Sequence, residues 1–408
     1  MTPNRPVREL ISYAIGGGWG LDGPEEGLVP VAVIRGADFP AIASGDVSSL
    51  PLRHETPKRA QGRYLMTGDI VLEVSGGTKN RPTGRVVRVS ERVSRAARAP
   101  LIPASFCRLI RPNSELIDDG YLYYWLLDMY SQGRTWAYQV QSTGLANFQF
   151  EHFLDAELVS LPPLDEQRRI AGVLGSFDDL IPVNRQWIDH LGAMQSAVFA
   201  DLDSDDLQSA EPEVAIGEVL QVFGGSTPST KVPEYWDGGE INWATPKDLS
   251  RLSSTPLLRT ERRITPSGLA RISSGLLPAG TLLMSSRAPV GYLAIAEIPT
   301  AINQGFIAIK GSDELPPLYL LEWLRAHIGD VMGLANGSTF QEISKRNFRT
   351  LRIRVPKQHE LSKFMSVAVP CHRSIVALEE ECDEMARTRD ALLPLLMSGQ
   401  VRVREVTA

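Results

Sequence analysis

The sequence predicts an α+β protein built from two pseudo-symmetric α/β domains separated by long, largely antiparallel helices. Three observations carry that expectation. The chain repeats its own landmarks in the same order about two hundred residues apart, each repeat begins in short strands and turns, and each ends in an apolar stripe at helical period.

The repeat shows most plainly in "STGLANFQFEHFLDAELVSLPPLDEQ", from Ser142, and "STFQEISKRNFRTLRIRVPKQHEL", from Ser338. Both open on Ser-Thr, pass a Phe (Phe153, Phe348), and reach an apolar-Pro step (Leu161-Pro162, Val355-Pro356) that leads into a Glu-bearing helix start. Glu9 in "VRELISYAIGG" matches Glu218 in "IGEVLQVFGG", Gly68 matches Gly280, and "YLYYWL" at 121–126 matches "YLLEWL" at 319–324. From Gly68 to Trp125 is 57 residues, and from Gly280 to Trp323 only 43, so the first half holds 14 more, around an arginine-rich run. A unit this long is a duplicated domain, not a solenoid repeat.

"GDIVLEVS" and "GTLLMSS" read as strands after a glycine turn, and "AINQGFIAIKG" as another. "GGSTPSTKVPEYWDGGEINWATPKD" reads as largely loop, because its glycines and prolines interrupt any periodic element. After Pro162, Ile170, Val173, Leu174, Phe177, Ile181, Ile188, Leu191 and Val198 share one helical face, with a break expected at Pro182. Phe364, Val367, Ile375, Leu378, Cys382, Met385, Leu392 and Leu396 do the same in the second tail, with a break expected near Pro370. The expected boundaries are domains at 1–160 and 207–355, a central helical spacer at 161–206, and a helical spacer and tail at 356–408.

A chain of 408 residues, 43% hydrophobic and 22% charged, has material for two or three cored domains. Its first twenty residues hold no apolar core of signal-peptide length, and no window approaches a membrane span, so the chain is expected in the cytoplasm. Cys107, Cys371 and Cys382 are odd in number and scattered, which fits a reducing compartment and gives neither a disulfide framework nor a metal-ligand spacing. No phosphate-binding glycine loop, nucleophile elbow or metal-binding histidine pair occurs, and "LPPL" at 161–164 and 315–318 lacks the polar residue that a base-modifying loop places before its prolines. Catalysis by the chain itself is not expected.

The formal charge of −6 argues against nucleic acid only as an average. Between Lys79 and Arg111 nine basic residues face one acid, Glu91, and between Lys345 and Lys357 six face none, while acids pool in "DLDSDD" and "EEECDE".

The stretches "GGSTPSTKVPEYWDGGEINWATPKDL" (224–249), "AINQGFIAI" (301–309), "GSTFQEISKRNF" (337–348), "LPPLDEQRRIAGVL" (161–174) and "RDALLPLLMSGQV" (389–401) resemble the specificity subunit of type I restriction-modification systems. The resemblance implies two target-recognition domains, each reading half of a bipartite, asymmetric site on double-stranded DNA. It implies helices that dock two modification (methyltransferase) subunits, with restriction (translocase and nuclease) subunits completing the complex. It also implies a catalytically silent chain, S-adenosylmethionine being held by the modification subunits and ATP with magnesium by the restriction subunit. A stand-alone DNA-binding or assembly protein is the alternative.

Within that frame the expected DNA-binding residues are Lys79, Arg81, Arg85 and Arg88 in the arginine-rich run, and Lys231, Trp243, Lys247, Arg287, Asn303, Gln304, Ser338, Thr339 and Lys345 in the second half. The cations suit phosphates, the amides of Asn303 and Gln304 suit base edges, and Ser338, Thr339 and Lys345 suit a phosphate at a helix start. The same residues fit a bland reading as solvated face, turn and helix cap. The expected partner-binding residues are Ile170, Leu174, Ile188, Leu191, Phe364, Leu378, Met385 and Leu392.

Overall fold

The computed structural model describes residues 4–78, 80–142, 145–206, 213–336 and 341–403, so Lys79, Ser338 and Thr339 lie outside the described residues. The chain divides into two compact units, one of Met1–Val183 with Asp383–Ala408 and one of Asn184–Cys382. Each holds one of the repeated segments and part of both helical tails.

Two sheets of the first unit are built from β1 (Ile11–Gly16), β2 (Val29–Ile34), β3 (Leu52–Glu55), β4 (Ile70–Glu73), β5 (Val86–Arg88), β6 (Leu101–Pro103) and β7 (Cys107–Pro112). These strands form an antiparallel sheet in the order β1-β7-β4-β5 and a small sheet β3-β2-β6 whose β2–β6 pair is parallel. The second unit has β8 (Gln221–Gly224), β9 (Ile241–Ala244), β10 (Pro256–Leu257), β11 (Arg262–Ile264), β12 (Thr281–Ser286), β13 (Val290–Ala296), β14 (Thr300–Ile302) and β15 (Phe306–Lys310). Its main sheet runs β8-β15-β12-β13-β10 and its small sheet β11-β9-β14, again with one parallel pair, β9–β14. "AINQGFIAIKG", read as one strand, is therefore two. Asn303 accepts the Gly305 backbone N–H at 2.8 Å, an Asx turn that separates β14 from β15.

Strand periodicity explains why the central strands are apolar on both faces. Ile70 and Leu72 of β4 face the main core of the first unit, while Val71, between them, packs with Val87, Leu101 and Ile34 toward the small sheet. In the second unit Leu282 and Met284 face the helices, and Leu283 packs with Ala294, Ala308 and Ile302. Each unit is thus three layers: helix, main sheet and small sheet.

The longer helices are α1 (Asp119–Ser131), α2 (Leu164–Asp206), α3 (Pro317–Ala326) and α4 (Gln358–Met397). Asp118 caps α1 by accepting the Tyr121 N–H at 3.0 Å. The breaks expected at Pro182 and Pro370 are not there: both prolines lie inside unbroken helices. A proline removes one helical hydrogen bond, and at Pro182 that loss is outweighed by packing, since Ile181 and Pro182 are both buried. Within the second unit the tails run antiparallel, because Asn184 bonds Glu381 at 2.9 Å whereas Gln195, further along α2, bonds the Ala368 carbonyl, earlier in α4, at 2.9 Å. In the first unit Arg389 of α4 pairs with Asp178 of α2 at 2.5 Å, and Tyr124 of α1 donates to the same carboxylate at 2.7 Å. Burial, reinforced by the Asp178 charge, raises the Tyr124 phenol far above its ordinary range, so it stays protonated and donates to Asp178.

The duplication extends to strand register. Ile70 pairs with Ile110 and Glu73 with Cys107, as Leu282 pairs with Ile309 and Ser285 with Phe306. Ile34 pairs with Pro103, as Ala244 pairs with Ile302. Registered pairs also locate the extra residues of the first half. Leu72 and its partner Val86 are fourteen residues apart, against nine for Met284 and Leu293. From Val86 to Ile102 is sixteen residues, against eight from Leu293 to Ala301, and the longer link contains the helix Glu91–Ala96. The arginine-rich run is therefore part of the fold's framework and not one protruding loop.

Candidate nucleic-acid interface

At one end of the main sheet of the second unit, four loops converge. Gly225 lies so close beneath the Ile302 and Asn303 carbonyls that a Cβ there would overlap both oxygens. Only glycine brings the loop after β8 against the turn between β14 and β15. The Ser286 N–H bonds the Gly305 carbonyl at 2.8 Å, and the Ile343 N–H bonds the Ser286 carbonyl at 3.0 Å, tying in the β12–β13 turn and the segment before Lys345. The arrangement gathers Arg287, Asn303, Gln304 and Lys345 on one rim. Gln304 is exposed and bonded to the Thr227 hydroxyl, Arg287 lies 3.9 Å from Glu342, and Lys345 is exposed beside Gly224. The two amide residues separate here: the side-chain oxygen of Asn303 closes its own turn, and Gln304 projects from the rim.

Trp243 is not on the surface. It is 2% exposed, its indole N–H donates to the Ser226 carbonyl at 3.4 Å, and its ring meets Trp236 edge-on at 4.9 Å. A tryptophan on the middle strand of a small sheet is filled in by its own loop. What those rings present is Arg262 of β11, an exposed guanidinium 3.7 Å from the Trp236 centroid and 5.2 Å from that of Trp243. Lys247 is tied to Glu261 at 3.0 Å, whereas Lys231 is exposed.

The first unit has the same frame and a different rim. Gly17 approaches the Pro103 and Ala104 carbonyls as Gly225 approaches its own pair. The positions in register with Asn303, Gln304 and Gly305 hold Ala104, Ser105 and Phe106, and Phe106 is 59% exposed on a backbone whose carbonyl accepts the Val74 N–H at 2.9 Å. The arginine-rich run is largely neutralised. Arg85 makes two bonds to buried Glu73, at 2.7 and 2.8 Å, Arg88 reaches Asp119 at 2.7 Å, and Arg111 chelates buried Asp69 at 2.7 and 2.8 Å. Arg81 is exposed, donates to the Gly76 carbonyl at 2.9 Å and stands 4.0 Å from Glu73. Burial pushes the nearby Cys107 thiol up to about 12, so it stays protonated at neutral pH.

Of the residues expected to bind partners, Ile170, Leu174, Ile188 and Phe364 are buried within this chain, the first two beneath α1 and Phe364 edge-on to Tyr319 and Phe199. Leu191, Leu378, Met385 and Leu392 are partly buried. Helical periodicity finds the buried face first, because that face must be apolar for the unit to fold. The apolar side chains exposed on α2 are others: Leu180 and Val183 in the part belonging to the first unit, Trp187 and Met194 in the part belonging to the second. Their spacing of three to four residues, or seven, was available in the sequence. It was masked by the stronger core stripe.

Among the described residues no helix is long and apolar enough to cross a membrane, and no three acidic, histidine or cysteine side chains are grouped to hold a metal ion.

Comparison with known proteins agrees with this architecture. The family model for the type I restriction modification DNA specificity domain matches twice, over residues 37–191 and 211–372. The type I restriction enzyme MjaIX specificity subunit of Methanocaldococcus jannaschii is 40% identical over 157 residues, which is 37% of this chain and 35% of that one. The putative MjaX specificity subunit of the same organism is 23% identical over 319 residues, covering 72% and 71% of the two chains. The alignment with the first of these relatives thus spans about a third of its length. The crystal structure of a type I S subunit from M. genitalium aligns over 97% of this chain and 95% of that one, with a TM-score of 0.61 at 16% identity, which is a likeness of fold. Two matched domains, each over most of one copy of the registered sheet frame and together more than half of the chain, place this chain in the type I restriction-modification DNA specificity family.

Proposed function

We propose that the chain reads a bipartite, asymmetric site on double-stranded DNA, one half with each unit, and positions two modification (methyltransferase) subunits and restriction subunits on it. One observation carries this: the strand register is repeated while the rim residues are not, Asn303-Gln304-Gly305 standing where the other copy has Ala104-Ser105-Phe106. Equal frames with unequal rims suit two partners of one kind arranged by pseudo-twofold symmetry over a site whose halves differ.

In the second unit Gln304, Arg287, Lys345 and Lys231 supply the contacts, joined by Ser338 and Thr339. In the first unit Arg81, Lys79 and Phe106 are the corresponding groups, and Arg85 and Arg88 hold the framework that presents them. Modification subunits carrying S-adenosylmethionine dock on the exposed apolar side chains of α2, Trp187 and Met194 foremost, and the partly buried Leu191, Leu378, Met385 and Leu392 of the two tails add to the contact. Restriction subunits bring ATP and magnesium, and the complex works in the cytoplasm. The chain supplies recognition and no chemistry.

The test is a segment exchange. Residues 214–355 are replaced by the matching segment of a relative, and the methylated motif is read by methylome sequencing of cells that also express the modification subunits. One half of the motif changes and the other stays. A change in both halves would end the modular reading.

A further inference from the structure

We propose that Arg262, held against Trp236 and Trp243, is a DNA-contacting residue of the second unit, its planar guanidinium presented to a pair of acceptors on a guanine edge or a phosphate. The proposal rests on the DNA-reading function above and names a contact that the motif-bearing segments do not contain.

The first ground is position. Arg262 pairs with Trp243 in the β9–β11 register, so its backbone is fixed by a strand. Trp243 is in turn bonded to Ser226, next to Gly225, which packs under the turn that carries Gln304. The stacked arginine therefore stands on the same loop assembly as the rim, joined to it through Trp243 and the Ser226–Gly225 backbone. The Trp236 indole N–H is bonded to the Ser229 carbonyl at 3.0 Å, so the platform is itself anchored within its loop.

The second ground is charge. Glu261, the adjacent acid, is already taken by Lys247 at 3.0 Å and Arg251 at 2.7 Å. Asp248 is buried and spent on the Thr245 and Glu261 backbone N–H groups, at 2.8 and 2.7 Å. Among the described residues no carboxylate pairs with Arg262. An exposed guanidinium pinned by its face keeps its donor edge outward and has little rotamer freedom left to lose, which is what a bidentate contact requires.

The first unit supplies the internal comparison. There Arg53, on the equivalent edge strand β3, lies 4.3 Å from the centroid of Trp19, in the loop after β1. Its side chain is largely buried and ion-paired with Asp22, so that arginine fastens a loop. At Arg262 the same stack is made without burial and without the acid. An arginine serving only as a fastener would gain from a carboxylate partner here as Arg53 does. The edge left open marks the second stack as a surface for an anion or a base.

The experiment uses the chain co-expressed with its modification subunits, and begins with the methylome and duplex binding of the wild-type complex. A wild-type complex with no preferred motif would defeat the DNA-reading function itself, separately from this proposal. Given a motif, Arg262→Met keeps the aliphatic stem across the indoles and removes the fork. An unchanged melting curve and an unchanged first half of the motif show that the variant is folded. Affinity for the motif duplex is expected to fall about five- to a hundredfold, the range for one bidentate contact. Arg262→Lys then separates the two sources. Lysine that keeps the salt dependence but loses discrimination at one base of the second half-site identifies a guanine edge, and lysine that restores affinity with the motif intact identifies a phosphate. A folded Arg262→Met complex with wild-type affinity, salt dependence and motif overturns the proposal.

Discussion

Replacing Arg85 by methionine tests whether the arginine-rich run is framework or DNA surface. The guanidinium makes two bonds to Glu73 and a third, at 2.8 Å, to the Gly36 carbonyl, and the side chains are only 18% and 5% exposed. Removing one partner of such a pair leaves the other carboxylate buried and uncompensated, at a cost of about 3 kcal/mol, the lower end for buried pairs because Arg85 keeps some solvent. In a unit of roughly two hundred residues, each kcal/mol shifts the melting temperature by about 2–4 °C, so the first unit should melt about 6–12 °C earlier. Arg81, exposed and 4.0 Å from the same acid, should cost within about 1 kcal/mol when replaced by alanine. The assays are thermal melting and the salt dependence of duplex binding by the complex, measured well below the transition. A phosphate contact contributes about 0.9 to the slope of log affinity against log salt, and Arg85→Met should leave that slope unchanged. The framework reading fails if the variant melts at the wild-type temperature and loses one unit of slope. The pair Arg85→Met with Glu73→Gln should be less destabilised than the sum of the single variants, because the second change removes the stranded charge.

Three further outcomes follow from the same geometry. Gly17→Ala and Gly225→Ala each drive a methyl into two backbone carbonyls, so each should abolish the reading of its own half-site, or the folding of its own unit, while hydrogen exchange in the other unit is unaltered. Cys107, Cys371 and Cys382 are all buried, with burial raising each thiol, so Ellman's reagent should react with none of them at neutral pH until denaturant is added; fast titration of Cys107 would contradict the packing around β7. Trp187→Ala with Met194→Ala should leave the melting curve in place and weaken co-purification of the modification subunits at least tenfold, whereas Ile188→Ala should lower the melting temperature instead.

The duplication was legible because it is written in local signals. Gly68 and Gly280 both take positive φ before a buried strand, and both copies set an aromatic helix ahead of the Pro-led tail, in the same order. Element type followed from strand alternation and helical period, and the continuity of the tails through Pro182 and Pro370 did not, because tertiary burial decides whether one missing hydrogen bond ends a helix. The chemistry of individual side chains was less legible for a related reason. Asn303 looks like a reader and closes a turn; Trp243, expected among the DNA contacts, is core; Arg262, in an unremarked "ERRI", projects from the platform that Trp236 and Trp243 make.

Charge shows where such reading has to stop. Nine cations against one acid between Lys79 and Arg111 count as a basic surface only if the acids nearest in sequence are the acids nearest in space. Here they are not: Arg85 meets Glu73 across 12 residues, Arg88 meets Asp119 across 31, Arg111 meets Asp69 across 42, and Arg108 meets Glu151 across 43. Residues 1–160 hold 17 basic and 17 acidic side chains, a net of zero, and residues 213–357 hold 16 and 13, a net of +3. The helical segments 161–212 and 358–408 hold 3 against 10 and 6 against 8, so they carry −9 and the whole chain −6. The acidity that seemed to speak against DNA therefore belongs to the helices, and the excess of cations to the second repeat, where Lys231, Arg262 and Lys345 are exposed. It follows that the second unit should supply most of the salt-dependent affinity and the first unit mainly discrimination by shape and apolar contact. Exchanging the second segment for one of zero net charge should then flatten the salt dependence, and an equally neutral exchange of the first should not.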